Sequence, residues 1–356
     1  GGTIDSGEMT DLFDMALAMA DVAGFANRRA GSAERGKLRG IGFGMYLEQC
    51  GNGVDDGVDI EFQDDGRVIL HGSQQCNGQG HQTTVTQILS DRLGYDVDLI
   101  TVKQGDSNRS PRGTTGGARM TAVLGSATAV AAAKIIDLAK PFAAKALECG
   151  EDDLNFTDGL FLRQDTNRSI AIEDLVRQLA ISGEKHRLNW AQPYETDGAT
   201  YPYGCHIIEL EIDRQTCAVD IASYHVVDDF GLVINPLTLE GQIHGGIAQG
   251  VGQALLEHVV YDDSGQLLAG SLMDYALPRA DHFPGFQIIT RNTACANNAL
   301  GIKGSGEAGA IGAPQAVISA ICDALDITHI DMPATPLTIF NAMKAKAANP
   351  PRHKGE

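Results

Sequence analysis

The sequence predicts an α+β fold in two lobes, and three observations carry that reading. Segments with the two-residue period of strands are interspersed with segments of helical spacing, and neither order dominates. A polar, proline-containing stretch at 183–202 separates two such sets. A chain of 356 residues, 43% hydrophobic and 21% charged, is long and apolar enough to bury one large core or two ordinary ones.

The elements follow in order. Residues 8–30 place Leu12, Phe13, Ala16, Leu17, Ala20 and Phe25 at helical spacing, and Gly31 to Gly40 read as a connector. RGIGFGMYLE (39–48), VDIEFQ (58–63) and RVILHG (67–72) then predict strands, with Asp64-Asp65-Gly66 as a hairpin turn. HQTTVTQILSDRL (81–93) predicts a helix, VDLITVK (97–103) a strand, and Ala118 to Leu147 a long helix of small residues. NFTDGLFL (155–162) is a second hairpin, followed by a short helix over 171–181. In the second set, HIIELEI (206–212) and AVDIASYHVV (218–227) predict strands. A helix from about 240, a hairpin around Asp263-Ser264-Gly265 and helices near 312–325 and 335–347 complete it. The implied boundaries are 1–37 for an N-terminal helix and connector, 38–195 for the first lobe, 196–348 for the second, and 349–356 for a tail.

Charge and cysteine usage narrow the function classes. With 27 basic against 46 acidic residues the formal net charge is -19, which disfavours nucleic acid and anionic membrane as general partners. Any bound anion must be held by local backbone N–H groups or a few placed cations. Seven scattered cysteines with no C-x-x-C pair, and ten histidines with no ligand spacing, predict no metal site and a reducing cytoplasm. The start GGTIDSGEMTDLFDM lacks a secretory pattern and reads as a cut from a longer polypeptide. The longest apolar stretch, Ala122 to Ala133, is broken by Lys134 and reads as too short to span a bilayer.

Glycine is in excess, 42 of 356 residues, and gathers at 72–80, 113–117, 241–252 and 301–312, each before a helical segment. Glycine there lets backbone approach a ligand, and a following helix start offers unpaired N–H groups to an anion. In KGSGEAGAIGAP (303–314), residues Gly304 to Gly309 formally satisfy G-x-G-x-x-G. It is not a dinucleotide fingerprint, because ACANNALGIK before it is no buried strand and too few residues follow for the remaining strands. What remains is Glu307, beside Gly306, ahead of a helix whose Pro314 suits a first-turn position. It is either a capping carboxylate or a buried general base kept ionised by the helix dipole.

The loop NGQGHQTT (77–84) contributes Gly78, Gln79, Gly80 and His81, and RGTTGGARMT (112–121) contributes Thr114, Thr115, Gly116, Gly117, Ala118 and Arg119. Each is an ordinary glycine loop taken alone; together they read as walls of one phosphate-bearing ligand site. Gln249, in EGQIHGGIAQGVGQALLEH (240–258), lies on a glycine-rich helix that serves either a ligand or close helix packing. Gly78-Gln79-Gly80-His81 and Gly241-Gln242-Ile243-His244 form a weak internal echo. No G-x-S-x-G elbow or Cys–His spacing suggests covalent catalysis.

Four runs, taken in order, are NGQGHQTTVTQILSDRLG, GDSNRSPRGTTGGARM, DDFGLVINPLTLEGQIHGGIAQGVGQALLEHVVYDDSGQL with DYALPRAD, and NALGIKGSGEAGAIGAPQAV. Over about residues 8–345 the chain resembles the second half of the molybdopterin-binding large subunit of the xanthine dehydrogenase and aldehyde oxidase family, with the flavour of aerobic carbon monoxide dehydrogenases.

The resemblance implies a two-lobed molybdenum cofactor-binding fold and a water-dependent oxidation of carbon monoxide, an aldehyde or an aromatic N-heterocycle. It implies that Glu307 is the base taking a proton from a hydroxyl or water on molybdenum. Electrons then pass to iron–sulfur clusters and FAD on partner subunits. It implies that Gln79, Gly80, the Thr115–Arg119 loop and Gln249 cradle molybdopterin, in the cytosine dinucleotide form of bacterial relatives. Ala118 stands where many relatives carry serine. An upstream half of the same subunit is an expected partner, and copper is expected only if that half carries a cysteine loop. The complete assembly is expected to be a dimer of heterotrimers, and this chain alone is expected neither to hold the cofactor firmly nor to turn over. A non-redox pterin- or nucleotide-binding module is the alternative, and Glu307 argues against it.

Overall fold

Alternate glycines in one strand set the architecture. A computed structural model describes residues 4, 7–51, 56–106, 108–109 and 113–348. In chain order, α1 (Met9–Met19) and α2 (Phe25–Glu34) lead into β1 (Lys37–Leu47). Next come β2 (Asp56–Phe62), β3 (Val68–Gly72), α3 (His81–Leu93), β4 (Ile100–Gln104), α4 (Ser126–Leu147), β5 (Leu154–Thr157) and β6 (Leu160–Arg163). β7 (Ser169–Ala171), α5 (Ile172–Ile181) and β8 (Trp190–Tyr194) close that lobe. β9 (Tyr203–Asp213), β10 (Val219–Asp229), α6 (Pro236–Leu255), β11 (Phe286–Arg291), α7 (Ala308–Leu325) and α8 (Pro336–Ala348) follow.

The strands form sheets ordered β1-β9-β10-β11, β4-β3-β2-β8 and β5-β6-β7. β1 pairs antiparallel with β9 over its whole length, from Lys37 opposite Asp213 to Leu47 opposite Tyr203. Residues 38–47, which the change of period puts with the first lobe, therefore belong to the second sheet, and the first lobe is inserted between β1 and β9. Strand period tells which residues share a face but not which distant strand is the partner. The stretch 183–202 likewise contains β8, paired antiparallel with β2, rather than serving only as a separator.

The reason for the pairing lies in the row Gly40, Gly42, Gly44. A Cβ on Gly40 or Gly42 would fall on the carbonyl oxygens of Ala320 or Ala316 in α7, and one on Gly44 on that of Gly312. The strand and helix backbones thus touch directly, which residues with side chains forbid. α7 is held on its other side by α6, where a Cβ on Gly246 would come 2.9 Å from the Gly309 Cα and one on Gly250 2.8 Å from the Pro314 Cδ. Small residues are needed on all three elements, and they also disguise where α7 begins. The helix starts at Ala308, so Pro314 lies inside it and not in its first turn.

β9 is buried along Tyr203–Ile212 because both faces are covered. Ile208, Leu210 and Ile212 pack with α6 and α7 residues such as Ile247 and Val317, while Cys205 and Ile207 meet Leu12 and Ala16 of α1. Each such fully buried aliphatic contributes roughly 1.5–3 kcal/mol. The carboxylate of Glu209 on this strand is paired with Arg28 and Arg39, each at 2.7 Å. Arg28 also donates to the carbonyls of Ala20 and Asp21, at 3.2 and 2.7 Å. The helix expected over 8–30 breaks there, with Asp21 left-handed at φ 44.

In the first lobe, Leu70, Val85, Leu89, Ile135 and Leu175 join one core between the sheet and α3, α4 and α5. A π-turn, Thr121–Gly125, precedes α4. Ile88, Ala122, Ala129, Leu300 and Ile302 pack the two lobes together. The continuous helix Thr121–Leu147 and α7 are long and apolar enough to cross a bilayer by length and composition, longer than the sequence reading allowed. Both pack onto the sheets, with 67% of the first one's apolar window buried.

Candidate functional site

Three glycine loops converge where the lobes meet. They enclose a cavity of about 270 Å³ lined by Asn77, Gln79 and His81, by Thr115 to Thr121, by Gln242, and by Lys303 to Glu307. The structure therefore brings together Gln79, His81, Thr115, Gly116, Gly117, Ala118, Arg119, Gly306 and Glu307. Gly78 and Gly80 flank Gln79 with φ of 108 and 76, conformations that favour glycine. Thr114 lies behind the wall, its carbonyl accepting from Arg119 Nε at 3.2 Å. Gln249 is exposed on α6 and does not line the cavity; Gln242, two turns earlier, does. Gln242 belongs to the internal echo, and that was its only sequence signal.

Glu307 is the N-cap residue of α7, yet its side chain makes no capping hydrogen bond. The capping reading accordingly has no bond behind it. The expectation of a buried carboxylate also changes, because Glu307 is exposed where it borders the cavity. Immediately behind it stands Glu48, 8% exposed, a residue without a role in the sequence reading. Burial first, and then the facing Glu307 carboxylate, raise the Glu48 carboxyl from its ordinary 4.5 to about 7. A signal for Glu48 was present: it continues the inward row of Gly40, Gly42, Gly44 and Tyr46 at the strand period.

The loop carrying Glu307 is anchored from below. Lys303 N donates to the Phe230 carbonyl at 2.7 Å, and the fully buried Lys303 ammonium lies 3.2 Å from the Asp229 carboxylate, over the Tyr203 ring. Beside it, Tyr46 Oη donates to Asp228 at 2.9 Å. A Cβ on Gly304 would come 2.5 Å from Cys50 Sγ, so this residue fills the space between the loop and the chain following β1.

The second loop is fixed by Arg119, whose guanidinium lies 2.6 Å from the buried Asp56 carboxylate. Gln74 Nε2 and Ser73 Oγ also donate to Asp56, at 2.5 and 3.1 Å. Among the described residues, the two cations that line the cavity, Arg119 and Lys303, thus already face carboxylates. In the first loop, burial would raise the Cys76 thiol, but the N–H groups of Gly78, His81, Gly80 and Gln79 turn toward its sulfur and bring it below its ordinary value. These N–H groups were expected to face a ligand; in this structure they serve Cys76.

What is left to hold a ligand is the 115–118 turn, Gln79, Gln242 and His81. Gly117 and Ala118 are both left-handed, at φ 57 and 50, a bend that turns successive N–H groups toward one side. Gly116 has open space where a Cβ would stand. The buried His81 is shifted toward its neutral form by desolvation, and its Nδ1 has no partner. Among the described residues, no three His, Cys, Asp or Glu side chains could hold a metal ion. A flat, hydrogen-bonding heterocycle with an anionic tail fits this lining, since it needs amide donors and backbone room rather than a ligand cage.

The chain's likeness to known proteins agrees with that chemistry. Residues 15–284 match the model of the molybdopterin cofactor-binding domain. The chain is 33% identical over 313 residues to the carbon monoxide dehydrogenase large chain of Hydrogenophaga pseudoflava, covering 86% of this chain and 39% of that protein. It is 30% identical over 367 residues to the nicotine 6-hydroxylase large subunit of Paenarthrobacter nicotinovorans, covering 97% and 45%. A reconstituted CO dehydrogenase from Oligotropha carboxidovorans superposes with a TM-score of 0.89 at 28% identity, covering 98% of this chain and 46% of that one. The chain spans less than half the length of each of these relatives. On the matched domain and the shared fold, this chain belongs to the molybdopterin cofactor-binding domain family.

Proposed function

We propose that this chain supplies the carboxylate wall of a molybdenum hydroxylase active site, in which Glu307 is the general base for oxidation of a carbon centre with water. The observation that carries the reading is the placement of Glu307 at the N-cap of α7, uncommitted to capping and open to the cavity. When bound, molybdopterin-carried molybdenum supplies a two-electron acceptor, and this chain's residues do the positioning around it.

The 115–118 turn, Gln79 and Gln242 hold the heterocycle and its anionic tail, for which the cytosine dinucleotide form is the proposed extension. Glu307 takes, at its carboxylate oxygen, the proton that a water-derived oxygen sheds as it adds to the substrate carbon. Carbon monoxide, an aldehyde or an aromatic N-heterocycle are the substrate classes, and partner subunits bearing iron–sulfur clusters and FAD take the electrons. The remaining length of the relatives corresponds to a further part of the site, which we assign to the other half of the same subunit. Copper belongs to the proposal only where that half provides a cysteine, and the assembly proposed is a dimer of heterotrimers. A reducing cytoplasm is the proposed location, in keeping with seven scattered cysteines and no C-x-x-C pair.

The test is Glu307→Gln in the complete enzyme. Molybdenum and pterin content stay unchanged and turnover falls by at least about 100-fold, the lower bound for loss of a general base. Near-normal turnover removes Glu307 from the mechanism.

A further inference from the structure

We propose that Glu48 and Glu307 work as one proton-sharing pair, in which the buried Glu48 is a positioning residue whose protonated carboxyl donates a hydrogen bond to the Glu307 carboxylate.

The geometry leaves Glu48 little alternative. It is 8% exposed, and its Oε2 has no donor within reach. The titratable groups acting on it are the Glu307 carboxylate from the turn before α7 and the Cys50 thiol from the chain following β1. Tyr46 on β1 feels Glu48 in turn, and its hydroxyl is spent on Asp228 of β10. Burial and these neighbours push both the Cys50 thiol and the Tyr46 hydroxyl well above their ordinary values, so both stay neutral. Among the described residues, no cation acts on Glu48. Two ionised carboxyls facing each other there would repel without compensation, whereas one shared proton turns the repulsion into a charge-assisted hydrogen bond.

The fold enforces the meeting. The glycine row of β1 lets α7 settle on the strand, so the last inward position of the row, Glu48, comes against the first residue before the helix, Glu307. The single proton resides on Glu48 while Glu307 is the acceptor. When Glu307 gains a proton the pair holds two, and the cavity side of Glu307 is the exit to solvent. This role rests on Glu307 being the base; the pairing itself does not.

The experiment separates the two. Infrared or carboxyl-¹³C titration of the protein is expected to show a carboxyl protonated up to about pH 7, absent in Glu48→Gln and shifted down in Glu307→Gln. The absence of any carboxyl titrating in that range, or its survival in Glu48→Gln, overturns the pair even if Glu307→Gln abolishes turnover. In the complete enzyme, Glu48→Leu is expected to lose about 10-fold or more in kcat and the ionisation near neutrality in the pH profile. Glu48→Gln, still able to donate to Glu307, is expected to restore part of kcat but not the ionisation. A wild-type pH profile in both variants overturns the positioning role and leaves the assignment of Glu307 standing.

Discussion

Gly245 and Gly246 are neighbours in α6, yet replacing each with alanine is expected to change stability in opposite directions. A Cβ on Gly245 meets nothing within 4 Å, whereas one on Gly246 comes 2.9 Å from the Gly309 Cα and 3.1 Å from the Ala310 N. Alanine in an exposed helix interior gains about 1 kcal/mol over glycine, so Gly245→Ala stabilises by that amount. Gly246→Ala has the same propensity gain but forces carbon atoms well inside their optimal separation of about 3.5–4.0 Å. The obstructing atoms are backbone and cannot swing aside. Overpacking at the upper end of about 1–3 kcal/mol then leaves a net loss of about 2 kcal/mol. The two variants therefore differ by about 3 kcal/mol, readable as a shift in the urea midpoint at unchanged slope. If Gly246→Ala is as stable as Gly245→Ala, α6 and α7 do not touch backbone to backbone, and Glu307 is not placed by that contact.

Two further outcomes follow from the buried charges. Asp56→Ala removes the carboxylate 2.6 Å from the Arg119 guanidinium and is expected to cost about 3 kcal/mol and speed amide exchange across 113–119; exchange rates equal to wild type would show that the pair does not hold the loop. The Glu48 carboxyl, raised from 4.5 to about 7 by burial and by Glu307, keeps its proton in the folded state where the unfolded chain loses it. Its contribution is fully present below about pH 4.5 and is lost, up to about 3 kcal/mol, as pH rises through 7, so Glu48→Gln should flatten the decline between denaturation midpoints at pH 5 and pH 8.

The loops at 77–84, 112–121 and 303–314 were legible because their glycines are local signals, and each fell at the cavity. The pairing of β1 was not, because a strand's period carries no address for a partner more than 150 residues away. For the same reason Glu48 was overlooked: its importance depends on which helix covers the glycine row, and the row itself was read only as a strand. Gln249 was named from its place on the glycine-rich helix and from the resemblance, while α6 turns Gln242 toward the cavity. Pro314 misled by composition, since a proline inside α7 is accommodated by the glycine at position 250 facing it. Cys76 drew no attention because a lone thiol acquires meaning only when the turn after it directs its N–H groups inward.

The overall charge of -19 and a pocket suited to an anionic ligand are compatible because of how the nearby cations are spent. Arg119 and Lys303 lie against Asp56 and Asp229, so they act as struts for the two loops rather than as an attractive surface. On the proposed function, recognition falls to short-range amide dipoles on the 115–118 turn, whose strength depends on orientation and not on net charge. Glu307 borders the same cavity, and its side chain makes no capping bond to the helix it precedes. On the proposed function, such a cavity would hold its ligand by backbone geometry and keep the Glu307 carboxylate for the proton that the reaction must move.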